Sequence, residues 1–319
     1  MGVEGVRWGV LSTARINTKV LNGASGSDRV QIAAVASRDG DRAETYAREH
    51  GIERAYGSYE ALLEDEEVEA VYISLPNSLH VEWSIRALEA GKHVLCEKPL
   101  TRRPAEAEEA FDAAERADRF LMEAFMFRHH PQTQNVKRLV ESGTIGELRL
   151  IRSAFSFPLT DLGNVRLRHD LDGGALMDVG CYCVSASRLL AGEPEYARGQ
   201  QVAARGGVDV RFAGTLRFAG EVLAHFDCGF DLPDRSELEA VGSDGSLVVS
   251  DPWHCRAPGI ELRRDGESQR IEVEEADSYR LELENLSDAI RGDAEPLLGR
   301  EDAVGQARAL AVLYEAAER

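Results

Sequence analysis

"WGVLSTARIN", Trp8–Asn17, packs an apolar run, a turn of small and polar residues and the start of a helix into ten positions. A short buried strand that feeds a helix through a tight turn is the first repeat of a doubly wound α/β sheet, whose ligands bind at the carboxyl ends of the strands. When such a turn holds a dinucleotide it is usually glycine-rich, because glycine lets the backbone fold tightly and approach the pyrophosphate. Here the turn has no glycine, and Gly9 is kept inside the strand. Whether the turn still holds a nucleotide has to be decided by the rest of the chain.

The same alternation continues outward. Apolar strand-like runs at 6–12, 32–37, 70–76, 93–99 and 120–125 are separated by helix-like stretches at 14–24, 40–50, 58–64, 79–90 and 104–118. This predicts a parallel sheet covered on both faces. After a helix at about 131–142 the pattern changes. A strand at 147–158 and a loop lead to the helical stretch "ALMDVGCYCVSASRLLAG", and from 196 to about 274 the runs alternate between apolar and polar and are broken by Gly, Asp and Pro turns. Consecutive antiparallel strands in one open sheet are expected there. Two helices close the chain.

Composition narrows the class. At 319 residues the chain has room for two domains. A net charge of −19 argues against nucleic acid and against an anionic membrane surface as partners. No run of about 18 apolar residues occurs, so no membrane span is expected. The start "MGVEGVRWGV" carries no leader pattern, and the five Cys are odd in number, so reduced thiols in a cytoplasm are expected. Cys181 and Cys183 would point to different sides of a helix, and the adjacent His129 and His130 diverge on an extended chain, so no metal site is expected.

Two motifs carry chemistry. "HVLCEKPL" (93–100) ends a buried strand in Glu97-Lys98-Pro99, at the edge where such sheets act, and Lys98 is one of only four lysines. The plain alternative is a Lys beside a Glu in a surface turn. "GGALMDVGCYC" (173–183) spaces Asp178 and Tyr182 four apart, on one face of a helix, after two glycines that permit close approach. A surface Asp and a half-buried Tyr would give the same spacing.

Taken in order, "LPNSLH" (75–80), "EKPL", "MEAFMFRHHPQ" (122–132), "GGALMDVGCY" and the final "REDAVGQARALAVLYEAAE" resemble the glucose–fructose oxidoreductase / inositol dehydrogenase / rhizopine-catabolism (GFO/IDH/MocA) family. The resemblance is greatest to its branch of NADP-dependent D-xylose dehydrogenases and dimeric dihydrodiol dehydrogenases. It implies a Rossmann domain over 1–124 and, over 125–319, an α+β domain with an open, predominantly antiparallel sheet for substrate binding and oligomerisation. It also implies a catalytic group of Lys98, Asp178 and Tyr182 beside the nicotinamide. A tyrosine titrates near 10, and a neighbouring lysine charge would lower that value, so Tyr182 is assigned as general acid/base and Lys98 as its activator, roles that are exchangeable at this stage.

The family's Gly-x-Gly-x-x-Ala turn aligns with Ser12, Ala14 and Asn17. The loop Ser12, Thr13, Ala14, Arg15 and Ile16 is modified, yet backbone N–H groups at a helix start still bind phosphate, so it is expected to hold the cofactor. The second strand ends Ala36-Ser37-Arg38, and a Ser and an Arg there favour the 2′-phosphate of NADP(H). Asp39, if it faces the ribose, would reverse the choice to NAD(H). By family analogy Leu75, Pro76, Asn77 and His80 line the nicotinamide-ribose half, with Glu97 and Lys98 nearby. His80 has a structural alternative, a hydrogen bond at a helix start. Glu123, Phe125 and Arg128 border the substrate side, and Asn164, Arg166 and His169 are specificity candidates or ordinary loop residues.

The expectation is an NADP(H)-dependent oxidoreductase for a hydroxyl or carbonyl of a sugar, an aldose such as xylose or glucose, or a related polyol, and a homodimer. Alternatives are a trans-dihydrodiol or nucleotide-sugar keto reductase, a non-catalytic dinucleotide or sugar sensor, and a glycosidase that oxidises its substrate transiently with a held nicotinamide.

Overall fold

The computed structural model describes residues 5–318. Met1–Glu4, the head of the stretch read for a leader, and Arg319 lie outside the described residues. The chain divides into two compact units, one taking the chain up to Met126 together with Asp277–Val304, the other Phe127–Ala276 together with the chain from Gly305.

In the first unit strands and helices alternate as β1 (Val6–Leu11), α1 (Asn17–Ser25), β2 (Val30–Ala36), α2 (Gly40–His50), β3 (Arg54–Tyr56), α3 (Tyr59–Leu63), β4 (Ala70–Ile73), α4 (His80–Glu89), β5 (His93–Glu97), α5 (Pro104–Ala117) and β6 (Leu121–Ala124). The six strands form one parallel sheet in the order β3-β2-β1-β4-β5-β6, with the order reversing between β1 and β4. The strands are nearly all apolar because helices cover both faces, and all four residues of β4 are buried. Gly9 stays glycine for a packing reason: a Cβ there would sit 2.6 Å from Leu62 of α3. Local chemistry sets the helix ends. Asp39 caps α2 and Gly51 ends it in the left-handed conformation, while Pro104 occupies the first turn of α5.

The second unit begins with α6 (Pro131–Glu141) and β7 (Leu148–Ser156). A π-helix (Leu176–Gly180) follows and runs directly into α7 (Cys181–Ala191). Then come β8 (Pro194–Ala203), β9 (Asp209–Phe218), β10 (Leu223–Gly229), β11 (Arg235–Gly242), β12 (Ser246–Ser250), β13 (Gly259–Arg264) and β14 (Glu267–Ile271). The eight strands form one sheet in the order β14-β13-β12-β11-β7-β10-β9-β8, antiparallel except for the β7–β10 pair. Residues of β9 alternate between buried and exposed because only one face of this sheet is covered within the chain.

Two helices close the chain, α8 (Ser278–Arg291) and α9 (Arg300–Ala317). Sequence alone places a single boundary at 124/125 and assigns everything after it to one domain, whereas Asp277–Val304 returns to the first unit. Trp8 Nε1 donates to Ser287 Oγ at 3.2 Å, and Arg291 pairs with Glu69 at 2.6 Å. The short strand β3 is absent from the sequence pattern, and the regular helix expected over 175–192 begins instead as the π-helix. Among the described residues no helix is long and apolar enough to cross a membrane.

Candidate active site

In the first unit the candidate residues gather at the carboxyl ends of β1, β2, β4 and β5. Ser12 takes φ +130°, a region that side-chain-bearing residues rarely adopt. Its side chain holds it there. Ser12 Oγ accepts from the Ala14 N–H at 3.1 Å and lies 2.7 Å from Ser74 Oγ. Asn17 closes the ring, donating to the Ser12 carbonyl at 2.9 Å and accepting from Ser74 Oγ at 2.6 Å. The turn that lacks glycine is thus tied by a buried network. Helix α1 has no side-chain cap, and its first amides are taken up by the turn: the Asn17, Thr18 and Lys19 N–H groups donate to the Ala14, Arg15 and Ile16 carbonyls at 3.1, 3.3 and 2.9 Å. An anion would be met by the turn itself, where Thr13 is half-buried and Arg15 exposed. These residues fit a pyrophosphate.

At the end of β2, Ser37 is buried and Arg38 is exposed. The Arg38 guanidinium lies beside Tyr59, whose own phenol is pushed up by burial. Asp39 caps α2, its Oδ1 accepting from the Arg42 N–H at 3.1 Å. After β4 come Leu75, Pro76 and Asn77, the last opening a short 3₁₀ turn. His80 is fully enclosed, with Nε2 2.8 Å from the Leu75 carbonyl and Nδ1 2.9 Å from that of Pro99. Burial holds its imidazole below the ordinary pKa, against the pull of those two carbonyls. It therefore ties the Leu75–Asn77 loop to the Glu97–Pro99 loop.

Glu97 accepts from the Tyr72 hydroxyl at 2.5 Å and, through its other oxygen, from the Lys98 N–H at 3.2 Å. Burial and the Glu97 charge push the Tyr72 phenol well above its usual range. Behind them Glu282 of α8 is buried, and burial followed by the Glu97 charge holds its carboxyl well above the carboxylate range. Lys98 is half-buried at the loop's tip. Glu123 accepts from the Leu100 N–H at 2.7 Å, and Phe125 is fully buried.

In the second unit, Gly173 and Gly174 fold the chain back onto the Arg166–Arg168 turn, both donating N–H bonds at 2.9 Å to carbonyls of that turn. The π-helix then presents Asp178, which accepts from Arg166 Nε at 2.6 Å. π-helical turns recur at functional sites because they re-aim side chains. Tyr182, at the start of α7, sits among Phe155 (5.3 Å between ring centroids), Phe127 (5.5 Å) and Trp253 (6.0 Å). Arg128 is buried and donates to Ser185 Oγ, three residues past Tyr182, at 3.0 Å. Asn164 accepts from the Arg166 N–H at 3.1 Å, and His169 is exposed.

His129 is half-buried, and desolvation followed by the Arg128 charge pushes its pKa down to about 3, while His130 Nδ1 caps α6 by accepting from the Gln132 N–H. Among the described residues no group of three His, Cys, Asp or Glu is placed to hold a metal ion.

The structure thus joins Arg166 to Asp178 and Arg128 to the tyrosine's helix. Sequence reasoning misses the aromatic surround of Tyr182, because Trp253 and Phe155 lie far from it in sequence. It also misses Ser74, which directly precedes the "LPNSLH" motif at the end of a buried strand.

A family model described as an oxidoreductase family with an NAD-binding Rossmann fold matches residues 6–125, and the GFO/IDH/MocA C-terminal domain matches 133–248. The chain belongs to the GFO/IDH/MocA oxidoreductase family. It is 40% identical to D-xylose 1-dehydrogenase (NADP(+)) 2 of Haloferax volcanii, over 98% of this chain and 97% of that one. It is 35% identical to trans-1,2-dihydrobenzene-1,2-diol dehydrogenase of Danio rerio, over 83% and 79%. Among solved structures it is similar to KijD10, a 3-ketoreductase from Actinomadura kijaniata in complex with NADP and TDP-benzene, with a TM-score of 0.92 and 32% identity over 98% of both chains.

Proposed function

We propose that this oxidoreductase uses NADP(H) to transfer hydride to or from a CH–OH carbon of a sugar, an aldose such as xylose or glucose, or a related polyol. The observation that carries the cofactor choice is the capping role of Asp39. Asp39 commits Oδ1 to the Arg42 N–H, while the neighbouring Ser37 and Arg38 suit a 2′-phosphate. Likeness along nearly the whole chain to a D-xylose dehydrogenase supports the substrate class. Likeness to a sugar 3-ketoreductase and a dihydrodiol dehydrogenase favours a nucleotide-linked keto sugar or a trans-dihydrodiol as the second reading.

The bound nicotinamide ring supplies hydride exchange, and the chain's residues do the rest. Ser12, Thr13, Ala14, Arg15 and Ile16 hold the pyrophosphate, and Leu75, Pro76 and Asn77 line the nicotinamide ribose, braced by His80. Tyr182 takes the proton from the substrate hydroxyl in oxidation and returns it in reduction. Its ordinary pKa near 10 is too high for a base at neutral pH, so the Lys98 ammonium is needed to favour the phenolate. Glu97 steadies the Lys98 loop through its bond to the Lys98 N–H. Asp178, anchored by Arg166, orients the hydroxyl. Phe125, Arg128 and His169 shape the substrate side.

The uncovered face of the eight-stranded sheet carries Arg152, Arg198, Asp227 and Glu239 beside small residues such as Ala213, and it suits a second copy of the chain in a homodimer. Five buried, unbridged cysteines suit a reducing cytoplasm.

Tyr182→Phe tests the proton role. Turnover of D-xylose with NADP⁺ should fall about a hundred-fold or more while NADPH affinity stays unchanged. Retained turnover removes Tyr182 from the mechanism.

A further inference from the structure

Asp209, the first residue of β9, is 2% exposed. Its carboxylate accepts from the Leu176 N–H at 2.6 Å and from the Tyr314 hydroxyl of α9 at 2.8 Å. Leu176 is the first residue of the π-helix that carries Asp178, and Tyr182 follows in the next turn. Gly174, at φ +129°, has no room for a Cβ because Asp209 Oδ1 fills that place. A strand, the last helix and Gly174 therefore converge on one buried carboxylate. Burying such a group is costly unless donors meet it, and the short N–H bond has the length of a charge-assisted one. An acceptor at this amide also satisfies one of the orphan donors at a helix start.

We infer that Asp209 is a positioning residue: by pinning the Leu176 N–H, it sets where the π-helix starts and so where Asp178 and Tyr182 point. A slip of one residue in helical register rotates every following side chain by about 100°. A fixed start is therefore needed for two side chains to stay aimed together. Tyr314 completes the device by holding the carboxylate's other oxygen. The effect on turnover rests on the proposed function; the effect on the segment does not.

The test uses the full chain and three variants, Asp209→Ala, Asp209→Asn and Tyr314→Phe, with two readouts. The first is amide hydrogen exchange across 174–183, compared with β5 and α6. The second is kcat with D-xylose and NADP⁺ per NADPH-binding site. In Asp209→Ala, exchange across 174–183 should rise about ten-fold or more while β5 and α6 are unaltered. Its kcat should fall about ten- to hundred-fold, with NADPH affinity unmoved. Asp209→Asn should restore most of both, because its amide oxygen still accepts from Leu176 and its NH₂ can donate to the Tyr314 oxygen. Tyr314→Phe should have a smaller effect in the same direction, and it carries the test if Asp209→Ala does not fold.

Unchanged exchange at 174–183 overturns the inference. So does a rise spread evenly through the second unit, or a normal kcat in Asp209→Ala when the parent turns over D-xylose. A parent inactive on D-xylose would count against the proposed substrate alone, and the exchange pattern would then decide the role of Asp209.

Discussion

Two turns lead into helices that carry candidate site residues, and they meet the same demand by opposite means. The turn after β1 puts Ser12 at φ +130° and holds it with side-chain bonds to Ser74, Asn17 and the Ala14 amide. The turn before the π-helix uses Gly173 and Gly174, where the Arg166 carbonyl and the Asp209 carboxylate occupy the places a Cβ would take. In the first turn the neighbours are side chains that can bond to a serine. In the second they are backbone and a buried carboxyl group, which leave room for hydrogen alone. A glycine is thus dispensable where side-chain chemistry can hold the backbone and obligatory where neighbouring atoms fill the Cβ position.

The largest expected effect falls on the second turn. Gly173→Ala would force the Arg166 turn aside, and a loss of about 3 kcal/mol in unfolding free energy is expected, with turnover lost too. A thermal unfolding midpoint equal to the parent's would show that the Arg166 carbonyl yields, and the contrast between the turns would collapse. The first turn predicts a smaller and more discriminating pattern. Ser12→Ala keeps the unusual φ and loses the bonds, so it should cost about 2 kcal/mol. Ser12→Gly loses the same bonds but relaxes the backbone, so it should cost under about 1 kcal/mol. Chemical denaturation of both variants reads the order. Equal losses would mean that φ +130° stores no strain.

Much of this architecture is legible in the amino-acid sequence. Apolar runs spaced by amphipathic stretches announce the parallel sheet, and the ordered motifs around Lys98, Asp178 and Tyr182 announce the family. What stays hidden is long-range. Periodicity says that α8 has an apolar face but not that it returns to the first unit against Trp8. Nothing in "ALMDVGCY" separates a π-helix from an α-helix, since the difference lies in which carbonyl each amide reaches. Asp209 sits in an unremarkable strand start, and its partners are 33 and 105 residues away. Asp39 differs in kind. Its signal is local, an Asp just before a helix, and it reads directly as the cap that the structure shows.

We propose that the turn without glycine is a working dinucleotide site whose neighbouring Ser37 and Arg38 select a 2′-phosphate. Parallel titrations of the purified chain with NADPH and NADH, followed by nicotinamide fluorescence, test it most directly. NADPH should bind at least about ten-fold more tightly than NADH, the worth of one charge-assisted bond to the phosphate. Tighter NADH binding, or no binding of either, would contradict it.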